Sequence, residues 1–151
     1  MASVLEIKEL REKTGISIAQ CKKSLEEAGG DMAKALELLK AKGAEIADKK
    51  AERVLRAGAV KAYIHSNGKL GALVQISAET DFVANNAEFK ALAEDVAMHV
   101  AAMDPADNEE LAGQPFVKDP SITITDLINS YVQKFGERIE LVRFARFDTS
   151  A

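Results

Sequence analysis

The chain has 151 residues, 47% of them hydrophobic and 29% charged, enough for one core or for a small domain attached to a medium one. A formal net charge of −4 offers no basic footprint for nucleic acid, and the single cysteine, Cys21, excludes an intramolecular disulfide and fits a reducing compartment. No apolar run reaches the length of a membrane span, and Met1-Ala2-Ser3 leads into a mixed-charge pattern rather than an apolar signal, so the expected location is the cytoplasm.

Residues 1–43 read as three short helices with their stops written in. Ser3 and Glu6 stand at capping-box spacing, with Val4, Ile7 and Leu10 on one face, and Thr14-Gly15 breaks the run. Ser17 and Gln20 repeat that spacing before a stripe of Ile18, Cys21, Leu25 and Ala28, which Gly29-Gly30 ends. Asp31 caps a third helix with Met32, Ala35, Leu36 and Leu39 inward, up to Gly43. Helices this short bury little singly, so they are expected to form a compact bundle. Residues 44–57 are alanine-rich and charged without a broad apolar face, and read as a partly helical linker.

The period then changes. Val60, Ala62 and Ile64 alternate with Lys61, Tyr63 and His65, and after Asn67-Gly68 the residues Leu70, Ala72, Val74 and Ile76 alternate again, a hairpin signal. A helix follows, with Asn85 and Glu88 at N-cap and N3 spacing and a stripe of Phe89, Leu92, Val96, Val100 and Met103. Residues 105–122 hold all three prolines, Pro105, Pro115 and Pro120, and read as an irregular connection. A further helix is expected over 123–135, stopped by Gly136, and a last strand over 137–147 with Ile139, Leu141, Arg143, Ala145 and Phe147 on one side. The fold class expected for 58–151 is therefore α+β, an antiparallel three-stranded sheet packed with helices.

Charge divides along the same line. Residues 1–57 carry 12 Lys and Arg against 10 Asp and Glu, whereas residues 58–151 carry 8 against 14. The acidic second part repels RNA and tolerates a basic or metal-bearing partner face.

No GxSxG, HExxH, CxxC or P-loop pattern occurs, and there are only two histidines, His65 and His99, so neither an enzyme nor a cofactor or metal site is expected. His65 on a polar strand face and His99 beside an apolar stripe read as surface or core-edge residues, and Cys21 as a small buried hydrophobe. The unusual piece is Thr80-Asp81-Phe82-Val83, where an aromatic ring stands beside a carboxylate between strand and helix. Two arrangements fit it. Phe82 packs back on the following helix as a staple, with Thr80 or Asp81 capping, or the ring and the carboxylate face outward as a wedge.

Two separated motifs carry a resemblance. Leu10-Arg11-Glu12-Lys13-Thr14-Gly15, continued by Cys21-Lys22-Lys23-Ser24-Leu25, resembles the N-terminal signature of the elongation factor Ts family, and Glu79-Thr80-Asp81-Phe82-Val83-Ala84-Asn85-Asn86 resembles its central one. Matching text continues in Tyr63-Ile64-His65 with Asn67-Gly68, in Met98-His99-Val100-Ala101-Ala102 and in Gln114-Pro115-Phe116-Val117. The resemblance implies guanine-nucleotide exchange on elongation factor Tu, GDP-bound and nucleotide-free. It implies that the N-terminal bundle is similar to a ubiquitin-associated domain and grips the GTPase through Leu10, Arg11, Thr14, Gly15, Cys21 and Lys22. It also implies that Thr80, Asp81, Phe82 and Val83 enter the GTPase near its Mg²⁺ and phosphate loop, dislodging the metal.

This chain departs from the family pattern twice. Ser77 and Ala78 stand where the family has an Asn and a Cys or Ser. The text also jumps from Met103-Asp104-Pro105 to a C-terminal segment similar to the end of a longer core, so the repeat of hairpin and helix is absent and a homodimer is expected to complete the core. Other classes account for less. A ubiquitin-binding adaptor explains only residues 1–43, a nucleic-acid binder is opposed by the acidic second part, and a metabolic enzyme lacks the necessary groups.

Overall fold

The computed structural model describes residues 2–150. Three helices come first: α1 (Val4–Thr14), α2 (Ile18–Glu27) and α3 (Met32–Lys49). Ser3 and Glu6 form the reciprocal capping box, and Ser17 and Asp31 accept from the N–H groups of Gln20 and Lys34. The stops are left-handed glycines: Gly15 at φ 70° after α1, Gly29 and Gly30 after α2. Leu10, Ile16, Cys21, Leu25, Ala28, Ala35 and Leu39 make the bundle's own core.

Gly43 does not end the third helix. Helix α3 runs through it to Lys49, because Gly43 faces α7 (Ile124–Phe135): a Cβ there would stand 3.1 Å from Gln133 Oε1 and 3.4 Å from the Asn129 carbonyl oxygen. This glycine serves close approach rather than termination. Polar contacts fasten the same junction. Lys40 Nζ lies 3.1 Å from Asp126 Oδ2, and Gln133 Nε2 donates to Gln20 Oε1 at 2.6 Å.

The remainder is α+β. Strands β1 (Ala57–Ile64), β2 (Leu70–Ala78) and β5 (Glu140–Asp148) form an antiparallel sheet in the order β1-β2-β5. Between β2 and β5 come α4 (Asp81–Ala84), α5 (Ala87–Met103), α6 (Asn108–Gly113), the short pair β3 (Pro115–Phe116) and β4 (Asp119–Thr123), and α7. Helix α5 supplies Phe89, Leu92, Ala93, Val96, Ala97 and Val100 to a core that it shares with Ala72, Val74 and Ile76 of β2.

Four further expectations are corrected. Asn85 closes α4, and the N-cap of α5 is Asn86, whose Oδ1 accepts from the Glu88 N–H at 2.8 Å. Residues 105–122 are not irregular: Asp107 caps α6 by accepting from the Glu110 N–H at 2.8 Å, and the prolines at 115 and 120 sit in a two-stranded ribbon. Strand β5 does not keep one face. Its register skips Val142, pairing Leu141 with Ile76 but Arg143 with Gln75, so the bulge leaves Ile139 and Leu141 against the core and turns Arg143, Ala145 and Phe147 outward.

His99 is the fourth correction, fully buried rather than at the core edge. Its Nδ1 accepts the Val117 N–H at 3.1 Å, which puts the proton on Nε2 to donate to Gln114 Oε1 at 2.9 Å. Burial holds its pKa below the ordinary 6.5, outweighing the bond to Gln114. The unfolded chain therefore takes up a proton first as pH falls, and folded stability, full above 6.5, declines below it until the folded pKa is passed. Urea unfolding is expected to show this loss from 6.5 down to about pH 5, before carboxylates contribute. His99→Gln keeps an acceptor and a donor but no titration, and its stability should stay flatter over that window. An equal slope in both proteins assigns the loss to other groups.

Candidate partner-binding site

The strand-to-helix turn after β2 is built by side chains that hold backbone groups. Thr80, extended at φ −129°, caps α4 by accepting from the Val83 N–H at 3.4 Å. A four-residue helix has no independent stability, so its direction depends on what fixes its ends. Adjacent residues on a helix point about 100° apart. Val83, 3% exposed, and Ala84 take the inward positions in the core, and Phe82 is left 86% exposed. Of the two arrangements open to segment 80–83, the outward one is observed, and the staple is not formed. Asp81 is also exposed, on the first turn of α4, where the helix N-terminus favours its charge.

The turn is tied to the loop between α7 and β5. Glu137 Oε1 accepts from the N–H groups of Glu79, at 3.1 Å, and Thr80, at 3.0 Å, and its Oε2 accepts from the Thr80 hydroxyl at 2.7 Å. In return Glu79 Oε2 accepts from the Arg138 N–H at 2.5 Å and Glu79 Oε1 meets Arg53 Nη1 at 3.4 Å. Arg138 Nη1 closes the ring by donating to the Arg53 carbonyl at 2.7 Å. Sequence reading finds none of these partners: Glu137 lies 57 residues from Thr80, and no local pattern links them.

The residues expected to bind through the bundle divide. Leu10 and Cys21 are interior, so they hold up the bundle rather than touch a partner. Cys21 donates toward the Ile16 carbonyl at 3.5 Å, and burial raises its thiol pKa. Thr14 is half-buried, its hydroxyl donating to the Leu10 carbonyl at 2.8 Å. Arg11, Gly15 and Lys22 are at the surface. Beside them stand Val4, Leu5 and Ile18, all exposed, so Val4 and Ile18 do not join the inward stripes that helical spacing gave them. The two regions are bridged by Lys134. It pairs with Glu88 at the start of α5, and a Cβ at Gly15 would lie 2.8 Å from its Nζ. Burial lowers the Lys134 pKa, and its ammonium stands 5.7 Å from the Tyr131 ring centre. Among the described residues no group of three or more His, Cys, Asp and Glu is gathered to hold a metal ion.

Comparison with known proteins bears on the same segment. Residues 79–151 match the family described as Elongation factor TS. The chain is 40% identical to an elongation factor Ts of Carboxydothermus hydrogenoformans over 187 aligned positions, 94% of this chain and 86% of the relative. It is 38% identical to that of Desulforamulus reducens, again over 94% and 86%, and 37% identical to that of Acetivibrio thermocellus over 98% and 90%. The 187 aligned positions exceed the 151 residues of this chain, so the Carboxydothermus relative carries residues that have no counterpart here. With an outward aromatic at the start of the matched region and identity sustained across nearly the whole of these chains, the protein belongs to the elongation factor Ts family.

Proposed function

We propose that this protein releases GDP from elongation factor Tu by placing Asp81 and Phe82 against the GTPase's Mg²⁺ and phosphate site and by stabilising its nucleotide-free state. Family membership supports the exchange role, in which no covalent bond is made or broken. The observation that carries the residue assignment is Phe82 at 86% exposure beside an exposed carboxylate. GDP is held by backbone N–H groups and by a cation that offsets the phosphate charge. A ring that fills a gap between side chains displaces that frame, and a carboxylate competes for the cation or its waters. Thr80 and Val83 act from within, as cap and anchor. By linkage, the factor weakens GDP binding as much as GDP weakens binding of the factor. Arg11, Gly15 and Lys22, with Val4, Leu5 and Ile18, form the bundle's contact with the same partner.

The test is stopped-flow release of labelled GDP from elongation factor Tu. Substoichiometric protein should accelerate it over several turnovers. Release at the spontaneous rate would end this reading. The role is cytoplasmic and needs neither nucleic acid nor membrane, and no helix among the described residues is long and apolar enough to cross one.

A second copy of this chain is the proposed cover for the sheet's outer face. That face has three rows across the strands: Val60, Gln75 and Arg143, then Ala62, Leu73 and Ala145, then Ile64, Gly71 and Phe147. Val60, Ile64, Leu73 and Phe147 are exposed there, whereas an uncovered antiparallel face is ordinarily polar. The residues missing relative to longer members favour a twin copy as occupant, through a two-fold contact of face on face. Sedimentation at micromolar concentration should give a dimer that Leu73→Glu converts to monomer. A native monomer would remove the twin copy from the proposal.

A further inference from the structure

We propose that Glu137 is a positioning residue for nucleotide exchange, holding the turn that presents Asp81 and Phe82. The inference rests on the reading of segment 80–83 as the acting segment. One carboxylate accepts from two successive backbone N–H groups, of Glu79 and Thr80, and from the Thr80 hydroxyl. That hydroxyl has a single proton. Given to Glu137 Oε2 at 2.7 Å, it leaves a lone pair free for the Val83 N–H, so the order Glu137 to Thr80 to Val83 fixes the first turn of α4. The core side is anchored by Val83 and Ala84, and the solvent side carries Phe82 with no packing of its own. Without Glu137 two N–H groups and the hydroxyl turn to water, and the turn samples other directions. The ring then meets the partner at the cost of ordering it during binding.

The return bonds distinguish this arrangement from an ordinary loop contact. Glu79 holds the Arg138 N–H, immediately after Glu137, and Arg138 reaches the Arg53 carbonyl. Each loop therefore orders the other. Glu79, Glu137 and Arg138 are half-buried, whereas Phe82 is 86% exposed, so Glu137 acts through the turn, not on the GTPase.

The experiment compares maximal GDP release at saturating factor for the native protein, Glu137→Ala, Glu137→Gln, Phe82→Ala and the double variant Phe82→Ala with Glu137→Ala, alongside urea unfolding of each. Glu137→Ala should lower the maximal rate about tenfold, equivalent to about 1.4 kcal/mol. Glu137→Gln retains a carbonyl for the two N–H groups but cannot accept from Thr80 through a second carboxylate oxygen, and should lose about threefold. In the Phe82→Ala background the Glu137→Ala loss should shrink well below that in the native background, since only Asp81 is left to aim. A purely structural role gives the same fold-loss in both backgrounds, and that additivity overturns the proposal. So does a native rate in Glu137→Ala beside a slow Phe82→Ala, which leaves the reading of segment 80–83 standing. A native rate in Phe82→Ala overturns both. Should Glu137→Ala fail to fold, Glu137→Gln alone and combined with Phe82→Ala decides by the same criteria.

Discussion

Phe82→Ala and Asp81→Ala are each expected to slow maximal GDP release from elongation factor Tu by about one to two orders of magnitude, with unfolding unchanged within about 0.5 kcal/mol. The stability half follows from exposure. A ring 86% in solvent makes almost no contact whose loss the folded state would feel, and Asp81 stands on the same exposed face. The exchange half follows from what the ring does on binding. Full burial of a Phe side chain contributes about 1.5–3 kcal/mol, and one such residue at the centre of an interface commonly dominates it. If that burial is available only when the nucleotide site is distorted, it lowers the barrier to release rather than strengthening every bound state alike. Both variants should still bind the GTPase through the bundle, with affinity reduced less than rate. Native release rates in both would leave the wedge without a part, although family membership would stand.

Local chemistry is what the sequence made readable. The Ser3–Glu6 box and the Asn67-Gly68 hairpin turn need only neighbours a few residues apart, and both form as expected. Features that depend on distant partners were not readable. Gly43 has the residue type of a helix stop, but the approach of Asn129 and Gln133, far along the chain, decides its role. The bulge at Val142 exists only in the register against β2, and with it the outward turn of Phe147. At the site, the residue types of segment 80–83 announced a special turn, but not its direction. That direction is decided by Val83 and Ala84 taking the inward places and by Glu137, distant in sequence, from the loop between α7 and β5. Polar anchors of this kind carry no periodicity, since a carboxylate on backbone N–H groups looks in sequence like any surface Glu.

Phe89→Ala is expected to do the reverse of Phe82→Ala. These two rings are seven residues apart, yet Phe89 is fully buried in the first turn of α5, in the core that also holds Val83 and Ala84. Truncation removes the transfer energy of the ring and leaves a void that helix and sheet close only in part, a loss of about 3–5 kcal/mol. For a domain whose total stability is about 5–15 kcal/mol, that is a large share, and the melting midpoint should fall by roughly 10 °C or more. Phe89→Leu leaves a smaller void and should lose less. The effect reaches the site because Val83 rests on this same core: with Phe89 gone the anchor loosens, so release slows even at temperatures where the chain remains folded. Adding elongation factor Tu without nucleotide should recover part of the lost stability, since it binds only the folded chain. Urea denaturation of Phe89→Ala checks the first part, and a loss below about 1 kcal/mol would mean the ring is not packed as described. Stopped-flow release at low temperature checks the second: an unchanged maximal rate in the folded variant would separate the core from the wedge, and would leave Glu137 and the Thr80 cap to hold the ring in place.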